Sequence, residues 1–194
     1  LLAVSDWLTQ MALNDDKLIY LDLEFVSRKY EEEFGADPTT MITKQEGGSA
    51  GVKAFFANAG ITTQESRTYS ITSRQMLHAL WNHISRNYPS FEQFENYGGT
   101  QIAWMQGSLT LGEWRDSERR RPGYEFYQLK HKSERTAFLT DNSYFAAGFS
   151  KIFGASSALK GNIGIPVRCL ARIMWHVDDA KNYVACPFVI IEDS

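Results

Sequence analysis

The pattern of apolar and polar positions changes character within residues 17–35. The run KLIYL, at 17–21, is short and apolar, which is typical of a buried strand. From Asp22 onward apolar residues recur at helical spacing until Gly35, a residue type that commonly ends helices. We therefore interpret Asp22 as a helix N-cap. A catalytic role is disfavoured, because the sequence supplies no partner acid, histidine or metal ligand at a suitable spacing.

A second amphipathic helix is predicted to begin at Thr72 and to end near Asn87. Thr72 and Gln75 have the spacing of a capping box. The apolar positions that follow lie on one helical face: Met76, Leu77, Leu80, Trp81 and Ile84. Residues 1–16 are predicted as a helical extension, and residues 39–45 and 61–71 as strands around a glycine-rich turn.

The remainder of the chain is predicted to be mainly β. Strands are expected over residues 102–111, 124–132 and 135–141. In the first of these, Ile102 and Trp104 share one parity whereas Leu109 and Leu111 share the other. This change of parity predicts a β-bulge at Gly107.

The last 30 residues predict a β-hairpin. Residues 165–177 alternate strictly, and a turn at 178–181 would place Ile173 opposite Cys186 and Cys169 opposite Ile190. In this register the two cysteines are roughly 13 Å apart, at about 3.3 Å per residue. A disulfide needs Cα atoms within about 7 Å. Two buried free thiols are therefore predicted.

These elements predict a single α+β domain spanning residues 1–194. Its antiparallel sheet would have about five to seven strands, with helices packed on one face and the C-terminal hairpin at its centre. With 43% apolar and 22% charged residues, the composition is that of an average soluble globular domain.

Charge and motif content disfavour several classes of function. The net charge of −3 gives no long-range attraction to nucleic acid or to an anionic membrane, although a local basic patch stays compatible with it. No apolar run approaches the roughly 18 residues of a transmembrane segment. The sequence has no P-loop, no nucleophile elbow and no metal-binding spacing of His or Cys. No catalytic residue, metal ligand or cofactor is predicted, an enzyme is disfavoured, and two cysteines fit a reducing cytoplasm.

The most distinctive charged segment is EWRDSERRRPGY, at residues 113–124. Arginine suits phosphate through its planar fork of donors, and aromatic rings nearby could stack on bases. The resulting candidate ligand-binding residues are Trp114, Arg115, Arg119, Arg120, Arg121, Tyr124, Lys130 and Lys132. The competing interpretation, which the sequence favours, is a solvated loop balanced by its own acids.

Several short motifs resemble an uncharacterised bacterial domain family with a Tyr-Leu-Asp start and a Gly-Gly turn. They are LIYLD, the turn GGSAG and the late hairpin GIPVRCLARIMW…CPFVIIE. The resemblance extends over residues 17–192. It implies a bacterial intracellular protein, and it implies no known activity.

Three functional hypotheses follow. The favoured one is a non-catalytic binding or regulatory domain with a protein partner. The second is a nucleotide-handling enzyme or nucleotide sensor that binds a nucleotide or phosphate through residues 115–121. The third is a module that contacts a partner or a membrane through Val52–Ile61.

Overall fold

The computed structural model describes residues 13–35, 71–91, 100–114, 124–146, 149, 162–177 and 182–193. Two short 3-10 turns, at Asp15–Lys17 and Asn142–Tyr144, accompany the helices and strands. The helices are α1 (Leu23–Phe34) and α2 (Ile71–Asn87). The strands are β1 (Leu18–Leu21), β2 (Gln101–Trp114), β3 (Tyr124–His131), β4 (Glu134–Phe138), β5 (Ile165–Val177) and β6 (Asn182–Glu192).

Strands β2 to β6 form a closed mixed barrel. β2, β3 and β4 are an antiparallel meander, β4 pairs in parallel with β6, and β5 pairs antiparallel with both β6 and β2. β1 adds to β6 from outside the ring. The predicted open antiparallel sheet with helices on one face is therefore wrong. The closing β4–β6 pair joins segments that are distant in sequence, and local alternation contains no information about such a contact.

The barrel has hydrophobic residues on both of its surfaces, and this explains the change of parity in β2. Ala103, Met105 and Leu109 belong to the inner core, whereas Ile102 and Trp104 belong to an outer core beneath the helices. The ladder between β2 and β5 runs from Gln101 to Leu109 without a register shift. The predicted bulge at Gly107 is therefore wrong, because the two parities serve two different cores.

Gly107 instead marks the point where β2 and β3 part. The ladder between them extends only from Trp114 to Ser108, which pairs with Lys130. A Cβ on Gly107 would lie 2.4 Å from the Lys130 carbonyl oxygen, so only glycine allows this close approach. Glycine within a strand is typical of a tight bend at a barrel corner.

Both predicted helices are present. Asp22 is confirmed as the N-cap of α1, since its Oδ1 accepts a hydrogen bond from the Phe25 N–H at 2.9 Å. Gly35 ends α1 with φ +60°, as its position predicted. α2 already includes Thr72, so the predicted N-cap at Thr72 is wrong. The predicted apolar face of α2 is confirmed as buried in the outer core.

The terminal hairpin is confirmed with one local correction. Cys169 lies opposite Ile190 as predicted, but Ile173 lies opposite Ala185 instead of Cys186. The register shifts between Leu170 and Ala171, where β6 carries one extra residue, and again between Ile173 and Trp175, where β5 carries one. Both cysteines are free, as predicted. Cys169 is fully buried, whereas Cys186 is only half-buried.

Several predicted features lie outside the described residues. They include most of the helical extension at 1–16, the strands at 39–45 and 61–71 up to residue 70, the segment 52–61, and the loop at 115–123. Neither α1 nor α2, the helices of the described part, combines the length and the apolar character needed to cross a membrane.

Candidate functional site

The outward surface of β3 and β4 is a candidate site because neither described helix contributes to a core over it. Tyr127 and Leu129 point into the inner core, as does Phe138. Alternation therefore turns their neighbours outward. We call these outward residues the hairpin face: Phe126, Gln128, Lys130, Arg135 and Ala137. The outer core beneath the helices draws its strand residues from β1, β2, β5 and β6 only.

Two cations lie directly opposite each other on the hairpin face. Lys130 and Arg135 are Cα partners in the β3–β4 ladder, and both are exposed. Among the described residues, neither of them forms an ion pair with a carboxylate. Like charges directly opposite in a sheet destabilise it. An anion bound between the two side chains would remove that repulsion.

An aromatic ring lies on the same face, four positions along β3 from Lys130 and about 13 Å away at roughly 3.3 Å per residue. A Cβ on Gly112 would lie 2.7 Å from Cε2 of Phe126 and 3.0 Å from Cδ of Gln128. The missing side chain at Gly112 therefore allows the Phe126 ring and the Gln128 amide to lie close against β2. Phe126 stays partly exposed whereas Gln128 is only 6% exposed, so the accessible groups of the hairpin face are a ring and two cations.

The second candidate feature is a groove of about 420 Å³ at one end of the barrel, which we call the barrel-end groove. Met105 and Leu129 line it and also belong to the inner core. Its other lining residues are Ser90, Phe91, Trp104, Gln106, His131, Lys132, Ser133, Glu134 and Thr136. The opposite end of the barrel is occupied by Phe145 and Phe149, and the Tyr127 hydroxyl donates to the Phe149 carbonyl at 2.6 Å.

The predicted ligand-binding residues do not form one described cluster. We call residues 115–121, which carry four of them, the arginine loop. Arg115, Arg119, Arg120 and Arg121 lie outside the described residues. Trp114 and Tyr124 are ladder partners at the base of that loop. Lys130 lies six positions further along β3, about 20 Å away at roughly 3.3 Å per residue. Lys132 follows β3 in the turn to β4 and lines the barrel-end groove.

Arg135 and the barrel-end groove were not predicted from the sequence. The predicted strands ended at residue 132 and resumed at 135, which placed the turn one residue too late. With the turn at Lys132 and Ser133, the pairing of Lys130 with Arg135 follows directly. The register of the segment KHKSER follows once its two turn residues are known, because a two-residue hairpin turn fixes the register of its strands. The groove depends on Ser90 and Phe91, which only the folded chain brings beside β2.

Asp22, His78 and His83 lie away from these two features and have partners within the fold. Burial raises the pKa of Asp22, and two backbone N–H groups partly oppose that shift. His78 Nε2 lies 2.8 Å from a carboxylate oxygen of Asp15, and His83 Nδ1 lies 2.9 Å from one of Glu33. These pairs connect α2 to the 3-10 turn at Asp15–Lys17 and to α1.

Among the described residues, the structure indicates neither a cysteine nucleophile nor a metal site. Burial raises the pKa of the Cys169 and Cys186 thiols, which makes them poor nucleophiles. Within the described ranges, no three His, Cys, Asp or Glu side chains are grouped so as to hold a metal ion.

Comparisons with known proteins add no family to these observations. No protein-family model, curated protein or solved structure matches the chain. The function is therefore inferred from the chemistry of the hairpin face and the barrel-end groove.

Proposed function

We propose that this chain is a non-catalytic binding domain whose hairpin face holds a single-stranded nucleic acid. The observation that carries the proposal is the pair of opposed, exposed cations Lys130 and Arg135, which no described carboxylate neutralises. A phosphate matches the planar fork of donors on arginine, as a carboxylate also does. Phe126, four positions along the same face of β3, offers a ring for a base further along the strand, and stacking on rings combined with cationic contacts is how proteins hold single strands.

The architecture supports this proposal by analogy. A five-stranded Greek-key barrel that carries oligonucleotide sites on its second and third strands is the OB-fold. In this chain the second and third strands of the barrel are β3 and β4, which carry the hairpin face. Architecture alone does not determine function, so the cations and the ring must support the proposal themselves.

The overall charge limits the strength of the proposed interaction. A net charge of −3 gives no long-range steering toward a polyanion, so the attraction has to be local. With two phosphate contacts on a single strand, affinity should fall about sevenfold between about 50 and about 200 mM salt. The resemblance of LIYLD and GGSAG to a bacterial domain family supports no more than the proposal of a bacterial intracellular protein.

The test is fluorescence anisotropy of a labelled oligothymidine with the full chain at those two salt concentrations. Replacing both Lys130 and Arg135 by Ala should weaken binding at least tenfold and remove most of its salt dependence. The matched control replaces Arg28 and Arg86, which are exposed cations on the helices, and should bind as the wild type does. Equal binding by the two double variants, or no binding by the wild type, would overturn the proposal.

The arginine loop supports a second candidate function, a nucleotide sensor. The ladder pair of Trp114 and Tyr124 places the base of the loop on β2 and β3, at the end of β3 away from Lys130. Replacing Arg119, Arg120 and Arg121 together by Ala would abolish nucleotide binding under this hypothesis. It would leave oligonucleotide binding by the hairpin face intact. Contact with a partner or membrane through Val52–Ile61 stays a prediction for residues outside the described part.

A further inference from the structure

The barrel-end groove lies beside the hairpin face but is formed by different side chains. Its residues come from the ends of β2, β3 and β4, from the turn between β3 and β4, and from Ser90 and Phe91. Met105 and Leu129 are inward positions, whereas Trp104 and Gln106 are outward positions of β2. Ser90 forms an isolated bridge with Trp104, and the Phe91 N–H donates to the Trp104 carbonyl at 2.7 Å. The groove thus begins where the ladder between β2 and β3 ends.

The lining combines apolar and polar groups in a way that limits the ligand. Phe91 supplies an apolar wall, and its ring is fixed by an edge-to-face contact with Tyr183 at 5.2 Å between centroids. Met105 and Leu129 form the floor and are only 8% and 2% exposed. The hydroxyl-bearing Thr136 is only 3% exposed. The aromatic wall at Phe91 gives a flat ligand a surface to pack against, and the surrounding hydroxyl, amide and charged groups disfavour a hydrocarbon chain. A volume of about 420 Å³ suits a small planar molecule with polar edges.

The charged residues of the groove are concentrated at the hairpin turn. Lys132 has φ +52°, in the left-handed region, although hairpin turns favour glycine, asparagine or aspartate at such positions. Its backbone strain accompanies a cation at the groove, next to His131. Glu134 is the ladder partner of His131 and adds an acceptor. The groove therefore presents a cation for a phosphate and an acceptor for amino or hydroxyl groups.

From this combination we propose that the barrel-end groove binds one nucleotide. Its base lies against the Phe91 ring above the floor of the groove, and its phosphate lies near Lys132. This inference rests on the proposed function, since a strand on the hairpin face would pass around the turn and place a terminal nucleotide in the groove. The domain would then recognise the end of a strand.

The test uses the full chain with adenosine and uridine monophosphates as probes, followed by NMR titration and calorimetry. Saturable binding is expected, with shift changes at groove residues. Lys132→Gly and Thr136→Val should each weaken it at least tenfold. Both variants should fold, because glycine suits the turn and valine has the shape of threonine. Arg28→Ala is the control and should not alter the binding.

The outcomes separate this inference from the proposed function. If neither mononucleotide shows saturable binding, or if Lys132→Gly and Thr136→Val bind as tightly as the wild type, the groove assignment is wrong. The oligonucleotide result with Lys130 and Arg135 replaced is independent of that finding. Mononucleotide binding in the groove without any oligonucleotide binding would overturn the proposed function and retain the nucleotide pocket.

Discussion

The two halves of the barrel differ in the residue type and the exposure of their outward positions. On the half covered by the helices, outward residues are large, apolar and buried, with Trp104 at 3% exposure and Leu170 at 0%. On the hairpin face, Lys130 and Arg135 occupy outward positions and are exposed. Inward positions are similar in both halves, because one inner core fills the barrel. The outward residues therefore show which half the helices cover.

The halves also differ in how their polar groups are satisfied. Under the helices, the Trp104 Nε1–H donates to the Ile84 carbonyl at 3.1 Å, and the Asp22 N–H donates to the Phe188 carbonyl at 2.8 Å. On the hairpin face, two cations lie opposite each other instead. A buried polar group without a partner destabilises the fold, whereas an exposed one is still available to a ligand. The covered half thus serves stability, and the hairpin face leaves its charged groups accessible for the binding proposed above.

The largest test of this difference compares two tryptophans. Trp104→Ala should lower the free energy of unfolding by about 3–5 kcal/mol, the usual cost of removing a buried aromatic side chain. Trp175, which is 42% exposed on β5, is the matched control, and its replacement by Ala should cost far less. Denaturant unfolding of both variants provides the measurement. Equal losses would show that the helices do not protect the outward face of β2.

The next test concerns the N-cap that joins β1 to α1. Asp22→Ala should cost about 1 kcal/mol, since the N–H of Phe25 loses its acceptor. Asp22→Asn should keep the cap and provides the control. A cost in the Asn variant as large as in the Ala variant would argue against capping.

The same variants give a pH dependence with a definite sign. Burial raises the pKa of the Asp22 carboxyl in the folded state above that of an ordinary aspartate. The folded protein therefore holds this proton more tightly than the unfolded chain does. The resulting stabilisation is fully present below the unfolded pKa, and it is lost as pH rises through the folded pKa. Relative to Asp22→Asn, the wild type should lose stability over that window, as measured by denaturant unfolding across acidic pH.

Local elements of the fold could be predicted from the sequence because their signals are local. Asp22 and Gly35 mark the two ends of α1 through capping chemistry, and strict alternation revealed β5. The closed barrel could not be predicted in this way. It depends on the parallel pairing of Thr136 with Tyr183, and no periodicity encodes which distant strands become neighbours.

The candidate site shows the same limit at the level of single residues. Lys130 and Lys132 could be found as basic residues in an aromatic context. Their distance from the base of the arginine loop, at Tyr124, depends on the length of β3. The pairing of Arg135 with Lys130 depends on a one-residue difference in the position of the turn. Such a difference moves every cross-strand partner. Residues of one site are therefore harder to predict than the elements that carry them.

A smaller effect should come from the strained turn of the hairpin. In Lys132→Gly, the glycine adopts the left-handed conformation of residue 132 without the cost of about 1–2 kcal/mol that a non-glycine residue carries there. Part of the resulting gain in folding free energy is offset by the greater entropy of glycine in the unfolded chain. We expect a net stabilisation of roughly 0.5–1 kcal/mol in denaturant unfolding. Ser133→Gly is the control, because Ser133 has no positive φ. It should destabilise the hairpin slightly, and a gain there equal to that at Lys132 would contradict the assignment of strain.

The smallest expected effect concerns the opposed cations themselves. Lys130→Gln removes the repulsion across the ladder from Arg135, and Lys130→Glu replaces it by attraction. Stability should therefore rise from Lys to Gln to Glu, by about 0.3 kcal/mol in all. Because both side chains are exposed, high salt should reduce the differences. Nucleic-acid affinity should change in the opposite order, so that each gain in stability accompanies a loss of binding. Unfolding and anisotropy measurements on the same three proteins test both trends. If Lys130→Glu were less stable than the wild type, the repulsion on which the binding site is inferred would not exist.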